Sequence, residues 1–326
     1  MRKVVTGVVL LVAIIAAGLL YVRSGALDTD PAEAMARYGG SPSQFVVIDG
    51  TRVHYRDEGA GPVLVLMHGS RASLHQWDGW VAALRDRFRI IRFDSLAHGL
   101  TGPDAKGDYS SARQLFLLTA LLDQLHVDRF MIGATSSGAT EAVRFAAQNP
   151  QRVEKMVLST VPLKLPAANK ISRFNSAIFW LHDNVLGTTA TNLYWRAFLQ
   201  GIFADPSRVT EEMVERYRIL NSRTGQTAEH RQRIVTWQTG GGAARDFEIA
   251  GGVTAPILIQ WGLAGPVLPP ELHCQIAEAF THADVRVIMY PDLGHKLVLE
   301  DPVTTARDAA AFLLENTGGV RCGAAQ

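Results

Sequence analysis

The chain opens with an uncharged stretch. Val4 to Val22 reads VVTGVVLLVAIIAAGLLYV, long enough as a helix to cross the roughly 30 Å hydrocarbon layer of a bilayer. Arg2 and Lys3 precede it and Arg23 follows. The length of the run, and Arg23 between it and the small residues Ser24-Gly25-Ala26, favour a retained anchor (residues 1–23) over a cleaved signal. The leading positive charges set the N-terminus inside. Either way the remainder is expected on the extracytoplasmic side. Residues 24–44 are polar, with Pro31, Gly39, Gly40 and Pro42, and read as a tether.

Beyond it the pattern changes to short apolar runs. Phe45–Ile48 and Arg52–Tyr55 flank Asp49-Gly50, a hairpin signal. Val63–Met67 is apolar at every position, which suits a strand covered on both faces. Strand-like runs at 89–93, 130–133, 155–158, 256–260 and 285–289 then alternate with helical stretches near 77–84, 111–125, 138–148, 271–280 and 304–314. Alternation of this kind predicts an α/β fold with a doubly wound, mostly parallel sheet. Residues 162–248 interrupt it with helical patterns and no strand run. They are expected to form a helical lid insertion between core segments 45–161 and 249–317, before a tail at 318–326. The insertion is rich in aromatics (Phe174, Phe179, Trp180, Tyr194, Trp195, Phe198, Phe203, Tyr217, Trp237). Most of these suit the insertion's own core, and a subset is expected to line an apolar pocket.

Composition narrows the function. Of 326 residues 47% are hydrophobic, enough for a sizeable core, and the formal charge of +1 gives no reason to expect a nucleic-acid partner. Cys274 and Cys322 are too few for a disulfide framework or a thiolate metal site, and they are expected to stay unpaired. With no clustered His/Cys/Asp spacing and no phosphate-cradling glycine loop, no metal or organic cofactor is expected. Oligomeric state is left open.

Three segments carry candidate chemistry. Asp128 to Pro150 (DRFMIGATSSGATEAVRFAAQNP) places a turn of small residues between a strand and a helix, the setting of a G-x-S-x-G nucleophile elbow. One framing, Gly133-x-Thr135-x-Ser137, puts threonine at the nucleophile. The other, Ala134-x-Ser136-x-Gly138, puts serine there. A β-branched residue resists the unfavourable φ of an elbow, so Ser136 is the candidate nucleophile. His295, in Pro291-Asp292-Leu293-Gly294-His295 after the last strand, is the candidate base. His68-Gly69-Ser70 ends the first buried strand, and the backbone N–H groups of Ser70 and Ser137 are candidate oxyanion donors, each worth about 3 kcal/mol in such a site. His68 itself is expected to hold the loop.

These motifs, with VHYRDEGAGPVLVLMHG (53–69), FDSLAHGLTGPD (93–104) and DLGHKLVLEDP (292–302), resemble the α/β-hydrolase superfamily. The likeness is to the lidded branch that holds esterases, epoxide hydrolases, haloalkane dehalogenases and carbon–carbon bond hydrolases, and it runs from about Phe45 to Leu314. In that branch epoxide hydrolases and dehalogenases are implied to need an aspartate nucleophile, so serine at 136 implies acyl transfer to water. The resemblance also implies an acid at position 265, which here is glycine. The other family location offers Ser159 and Thr160. Asp292, Glu271, Asp246 and Glu248 are the candidate carboxylates from elsewhere in the chain. The chain is therefore expected to be a serine hydrolase acting on a small or medium apolar carboxylic ester, or a related acyl or carbon–carbon substrate. The alternative is a catalytically impaired small-molecule binding protein on the same fold. A purely structural membrane protein is the weakest reading.

Overall fold

The structure is a computed structural model, and it describes residues 2–164, 173–182, 191–315 and 317–322. Helix α1 (Arg2–Arg23) holds the uncharged run, and Val5–Val22 is long and apolar enough to cross a membrane. The segment read as a tether contains a second helix, α2 (Pro31–Tyr38). Asp30 caps it by accepting a hydrogen bond from Ala32 N–H at 2.8 Å, and Pro31 occupies a position where its missing N–H costs nothing.

Strands β1 (Gln44–Ile48) and β2 (Thr51–Gly59) form the hairpin, with Ile48 paired to Thr51 around Asp49-Gly50. Next come β3 (Val63–Met67), α3 (Asp78–Leu84) and β4 (Arg89–Phe93). Helix α4 (Ser111–Gln124), β5 (Phe130–Thr135), α5 (Ser137–Gln148) and β6 (Val153–Ser159) follow. The insertion contributes α6 (Arg173–Leu181), α7 (Asn192–Gln200), α8 (Glu211–Asn221), α9 (Gln226–Thr239) and α10 (Gly242–Ala250), with no strand among its described residues. The sheet resumes with β7 (Ile257–Gly262), α11 (Leu272–Ala277) and β8 (Val285–Tyr290), closed by α12 (Leu297–Glu300) and α13 (Pro302–Glu315).

The eight-stranded sheet has the order β1-β2-β4-β3-β5-β6-β7-β8. It is antiparallel at β1–β2 and β2–β4 and parallel elsewhere. Every residue of β5 and β7 is buried, as expected of central parallel strands covered on both faces. On one side Leu118, Leu121 and Leu122 of α4 and Val143 and Phe145 of α5 pack with Ile132 and Ile259. On the other, Trp80 of α3 and Ala306, Ala309 and Phe312 of α13 pack with Leu64, Leu66 and Leu258. Strand order reverses between β3 and β5, so the crevice beyond their carboxyl ends is where such sheets bind ligands.

The insertion has its own core. Tyr194, Trp195, Phe203 and Tyr217 are buried together with Leu199 and Val214, while Trp180 is exposed. The side chains of Phe174 and Phe179 lie outside those described.

The cysteines depart from expectation. Cys274 and Cys322 form a disulfide with Cα atoms 5.5 Å apart. A separation of 48 residues carries no information about distance in space. What unites them is the tail, which returns to pair Val320 with Val287 of β8 and so brings Cys322 beside α11. Residues 323–326 of the expected tail lie outside the described residues.

Candidate active site

Ser136 stands between β5 and α5 with φ +52°, a left-handed conformation that non-glycine side chains rarely adopt. Its N–H is held by the Ser159 carbonyl oxygen at 3.0 Å. The approach is tight on both flanks. A Cβ at Gly138 would lie 2.4 Å from the His68 carbonyl oxygen, and one at Gly133 would lie 2.7 Å from Leu66 Cδ2. The competing framing fails because Thr135 is fully buried in β5 and Ser137 is already helical. Ser136 keeps partial exposure.

His295 Nε2 lies 3.0 Å from Ser136 Oγ, so the structure brings the two sequence candidates together. The histidine loop is well fixed. His295 N–H donates to the Ile202 carbonyl at 3.0 Å, and Thr160 Oγ1 donates to the His295 carbonyl at 3.1 Å. The Glu300 carboxylate accepts from Gly294 N–H at 3.0 Å and Ala204 N–H at 2.9 Å, tying the loop to the insertion.

The other edge of the imidazole has no partner among the described residues. His295 Nδ1 is buried without a hydrogen bond. None of the four carboxylates considered from the sequence reaches it: Asp292, Glu271 and Glu248 are exposed, and Asp246 is engaged by Arg144 at 2.5 Å and Trp237 Nε1 at 2.8 Å. Gly265 packs against the backbone of the histidine loop. A Cβ there would lie 3.0 Å from His295 N and 3.1 Å from Gly294 Cα. Burial, and next the charge of Lys296, push the imidazole pKa down to about 3, so His295 is a neutral base across the physiological range.

The oxyanion candidates sit on either side of the elbow. Ser137 N–H opens α5, where no preceding helical carbonyl serves it. Ser70 belongs to a loop that His68 and His98 hold from below. His68 Nδ1–H donates to Gly69 O at 2.8 Å, while its Nε2 accepts from Ser95 N–H at 3.0 Å. His98 Nε2 accepts from Arg71 N–H at 3.0 Å. The loop residue Ala97 has φ +65°, which accounts for glycine being usual there in the family it resembles.

A cavity of about 480 Å³ lies against this loop. Tyr194, Trp195 and Ile234 form one wall, so some insertion aromatics do line a pocket. The lining is mostly apolar, with Val235 and Ala97 adding to it, while α9 also turns His230, Arg231 and Gln226 toward the cavity and Arg71 adds a further polar group. Ser70 Oγ lies 3.2 Å from His230 Nε2 of the lining, and neither Ser136 nor His295 lines the cavity itself.

Sequence reading missed three contributors: Lys296, Glu300 and Asp94. All three lay inside quoted motifs, Asp94 in 93–104 and Lys296 and Glu300 in 292–302, where nothing marked them out from their neighbours.

The buried histidines also set an acid limit on stability. Burial lowers His68 to about 4 and His230 and His295 to about 3, and it lowers His98 well below its ordinary value. In the unfolded chain each takes a proton near about 6.5. Below that pH the unfolded chain binds more protons than the folded one, so stability is complete above about 6.5 and falls as pH drops toward 3 to 4. Denaturant titrations through this window are expected to show the unfolding free energy rising with pH. A flat profile would contradict the buried, neutral histidines.

A family profile described as "alpha/beta hydrolase fold" matches residues 62–302. A putative 2-succinyl-6-hydroxy-2,4-cyclohexadiene-1-carboxylate synthase of Bacillus subtilis (strain 168) is 28% identical over 82% of this chain and 97% of its own. A cis-3-alkyl-4-alkyloxetan-2-one decarboxylase of Shewanella oneidensis is 26% identical over 79% of this chain and 83% of its own. Among solved structures, a membrane phospholipase A described as a bacterial virulence factor superposes with a TM-score of 0.70 at 20% identity, over 96% of this chain and 98% of its own. With its sheet order, its strained elbow and a profile match across most of its length, the chain belongs to the alpha/beta hydrolase family of enzymes.

Proposed function

We propose that the protein is a serine hydrolase that cleaves a small or medium carboxylic ester through an acyl-enzyme, carried behind one N-terminal membrane span. The observation that carries this reading is the strained Ser136 with His295 Nε2 3.0 Å from its hydroxyl. Ser136 Oγ attacks the ester carbonyl as His295 takes its proton, and the N–H groups of Ser70 and Ser137 hold the developing oxyanion. The alkoxide leaves with the proton from His295. A water molecule then repeats the sequence on the acyl-enzyme.

The aromatic wall of the cavity suits an apolar acyl or alkyl group, and its polar groups suit a substrate with a polar end. The likeness to a membrane phospholipase A supports both the ester and the membrane parts of the reading. The Cys274–Cys322 disulfide fits a domain on the extracytoplasmic side, since such bonds persist in oxidising compartments.

Full-length protein in detergent is expected to react with a fluorophosphonate probe, with the adduct mapped to Ser136 by mass spectrometry and lost in Ser136→Ala. Folded protein that takes no label refutes the reading. That result favours a binding protein, for which the unpartnered His295 Nδ1 already argues.

A further inference from the structure

Lys296 follows the base and is only 2% exposed. Among the described residues its ammonium has a single hydrogen-bond contact, 3.5 Å to Gln76 Oε1, at the limit of hydrogen bonding. Cations buried without a carboxylate are costly, and they concentrate at functional sites.

Its position relates it to the nucleophile. A Cβ built on Gly69 would lie 3.1 Å from Ser136 Cβ and 3.3 Å from Lys296 Nζ, with the Thr135 carbonyl oxygen also at 3.3 Å. Gly69 therefore lets the stem of the nucleophile and the ammonium crowd one point, each within 3.3 Å of it, so the charge of Lys296 sits close to Ser136. Gln76 Oε1 is the acceptor for Lys296 and also receives the Gly69 N–H at 3.4 Å, while Gln76 Nε2 is buried with no partner. Such a cluster is complementary to an added anionic oxygen.

The charge balance agrees. Where an acid faces the histidine, it offsets the imidazolium. This site has no acid and one additional cation, so the anion that forms during reaction is the group best compensated. We propose that Lys296 supplies the positive charge that stabilises the tetrahedral oxyanion formed on Ser136, compensating in part for the glycine at 265. The inference rests on the serine hydrolase reading above. As the Ser136 Oγ–C bond forms, the hydroxyl proton passes to His295 Nε2 and the carbonyl π pair moves onto oxygen. Lys296 keeps its proton and faces that oxygen. When the intermediate collapses, the leaving alkoxide takes the proton from His295.

Burial lowers the Lys296 pKa to about 8. The titratable groups that sense its charge are His295 on its own loop and His68 below the elbow, both held neutral by burial. Desolvation is the one cause acting on Lys296, with no acidic side chain raising it.

The test uses full-length protein in detergent, 4-nitrophenyl butyrate as substrate, and phenylboronic acid, which forms an anionic tetrahedral adduct on serine. Lys296→Met is expected to lower kcat by about 100-fold with KM little changed, and to weaken boronate binding by a similar factor. Wild-type kcat is expected to fall above about pH 8 as the ammonium loses its proton. That limb should vanish in Lys296→Met and move upward in Lys296→Arg. Unchanged kcat, boronate affinity and pH limb in Lys296→Met overturn the inference. If that variant does not fold, a wild-type kcat that stays level through the alkaline range overturns it instead. A wild type labelled at Ser136 alongside an indifferent Lys296→Met defeats this inference alone, whereas an unlabelled wild type defeats the parent reading as well.

Discussion

Aspartate in place of Gly265 is expected to make the enzyme faster. The Cβ at this position points at the His295 backbone from 3.0 Å, and the Nδ1 of that residue is buried without an acceptor. A carboxylate here gives the ring a partner that favours one tautomer and offsets the imidazolium formed on proton transfer. In a well-studied serine protease, replacing the acid by its amide lowers kcat by about 10⁴, which sets the upper scale. A gain of about tenfold or more in kcat/KM is expected here, because the added side chain meets Gly294 Cα at 3.1 Å and the loop must yield. The crowding also predicts a lower melting temperature for both Gly265→Asp and Gly265→Ala. Ester hydrolysis by the two variants separates the effects, since alanine crowds the loop equally and brings no charge. A folded Gly265→Asp no faster than Gly265→Ala would show that the unpartnered nitrogen is not what limits the rate.

Asp94→Ala is expected to cost about 3–5 kcal/mol of stability, because each buried donor it strands costs about 1–3 kcal/mol. The carboxylate is wrapped by its own chain. It takes His54 Nδ1–H at 2.6 Å, Leu74 N–H at 2.7 Å and Leu100 N–H at 2.8 Å. Gly99 turns around it so closely that a Cβ there would fall 2.0 Å from Asp94 Oδ2. Alanine leaves three buried donors unsatisfied. It also frees the turn at Leu74–Trp77, which carries Gln76, and the loop whose His98 holds Arg71. Reactivity at Ser136 should therefore fall with stability. Burial, the largest single influence, raises the Asp94 carboxyl, but His54, His68 and the Leu74 N–H together outweigh it and hold the group down to about 2. Its contribution is thus complete above about pH 4, the ordinary range for the unfolded group, and is lost as pH falls toward 2. Urea unfolding of Asp94→Ala and Asp94→Asn measures the cost, and a loss under about 1 kcal/mol for alanine would remove Asp94 from this role.

The sheet was legible because its signal is local. Apart from β2, which runs four residues past Tyr55, each apolar run became a strand within a residue or two, since a strand buried on both faces has few polar positions. Ser136 was legible for a similar reason: the steric demand of the elbow excludes its β-branched neighbour, and the +52° φ bears that argument out. Helix α2 carried a readable start in Asp30-Pro31, which the surrounding glycines and prolines obscured. The disulfide, Asp94 and Lys296 were illegible on different grounds. Nothing in HKLVLEDP distinguishes a buried lysine from a solvated one, because its burial is decided by the turn at Gln76 and the loop at Gly69, more than two hundred residues away. The missing acid was legible as a gap and not as a solution.

Helix α2 changes what the span can do. Thr29 N–H donates to the Ser222 carbonyl at 2.8 Å, Arg37 makes a two-pronged pair with Glu215 at 2.7 Å, and Ala34 is buried against Leu100, Ile219 and Leu220. Asn221 and Gln226, just beyond this clasp, line the cavity. Five residues separate the end of α1 from Thr29, six peptide steps with a reach of about 20 Å at full extension. With α1 across a bilayer, the mouth of the cavity would ride at the lipid surface on a short, fixed mount instead of swinging free on a leash, so orientation toward the membrane would be built into the molecule.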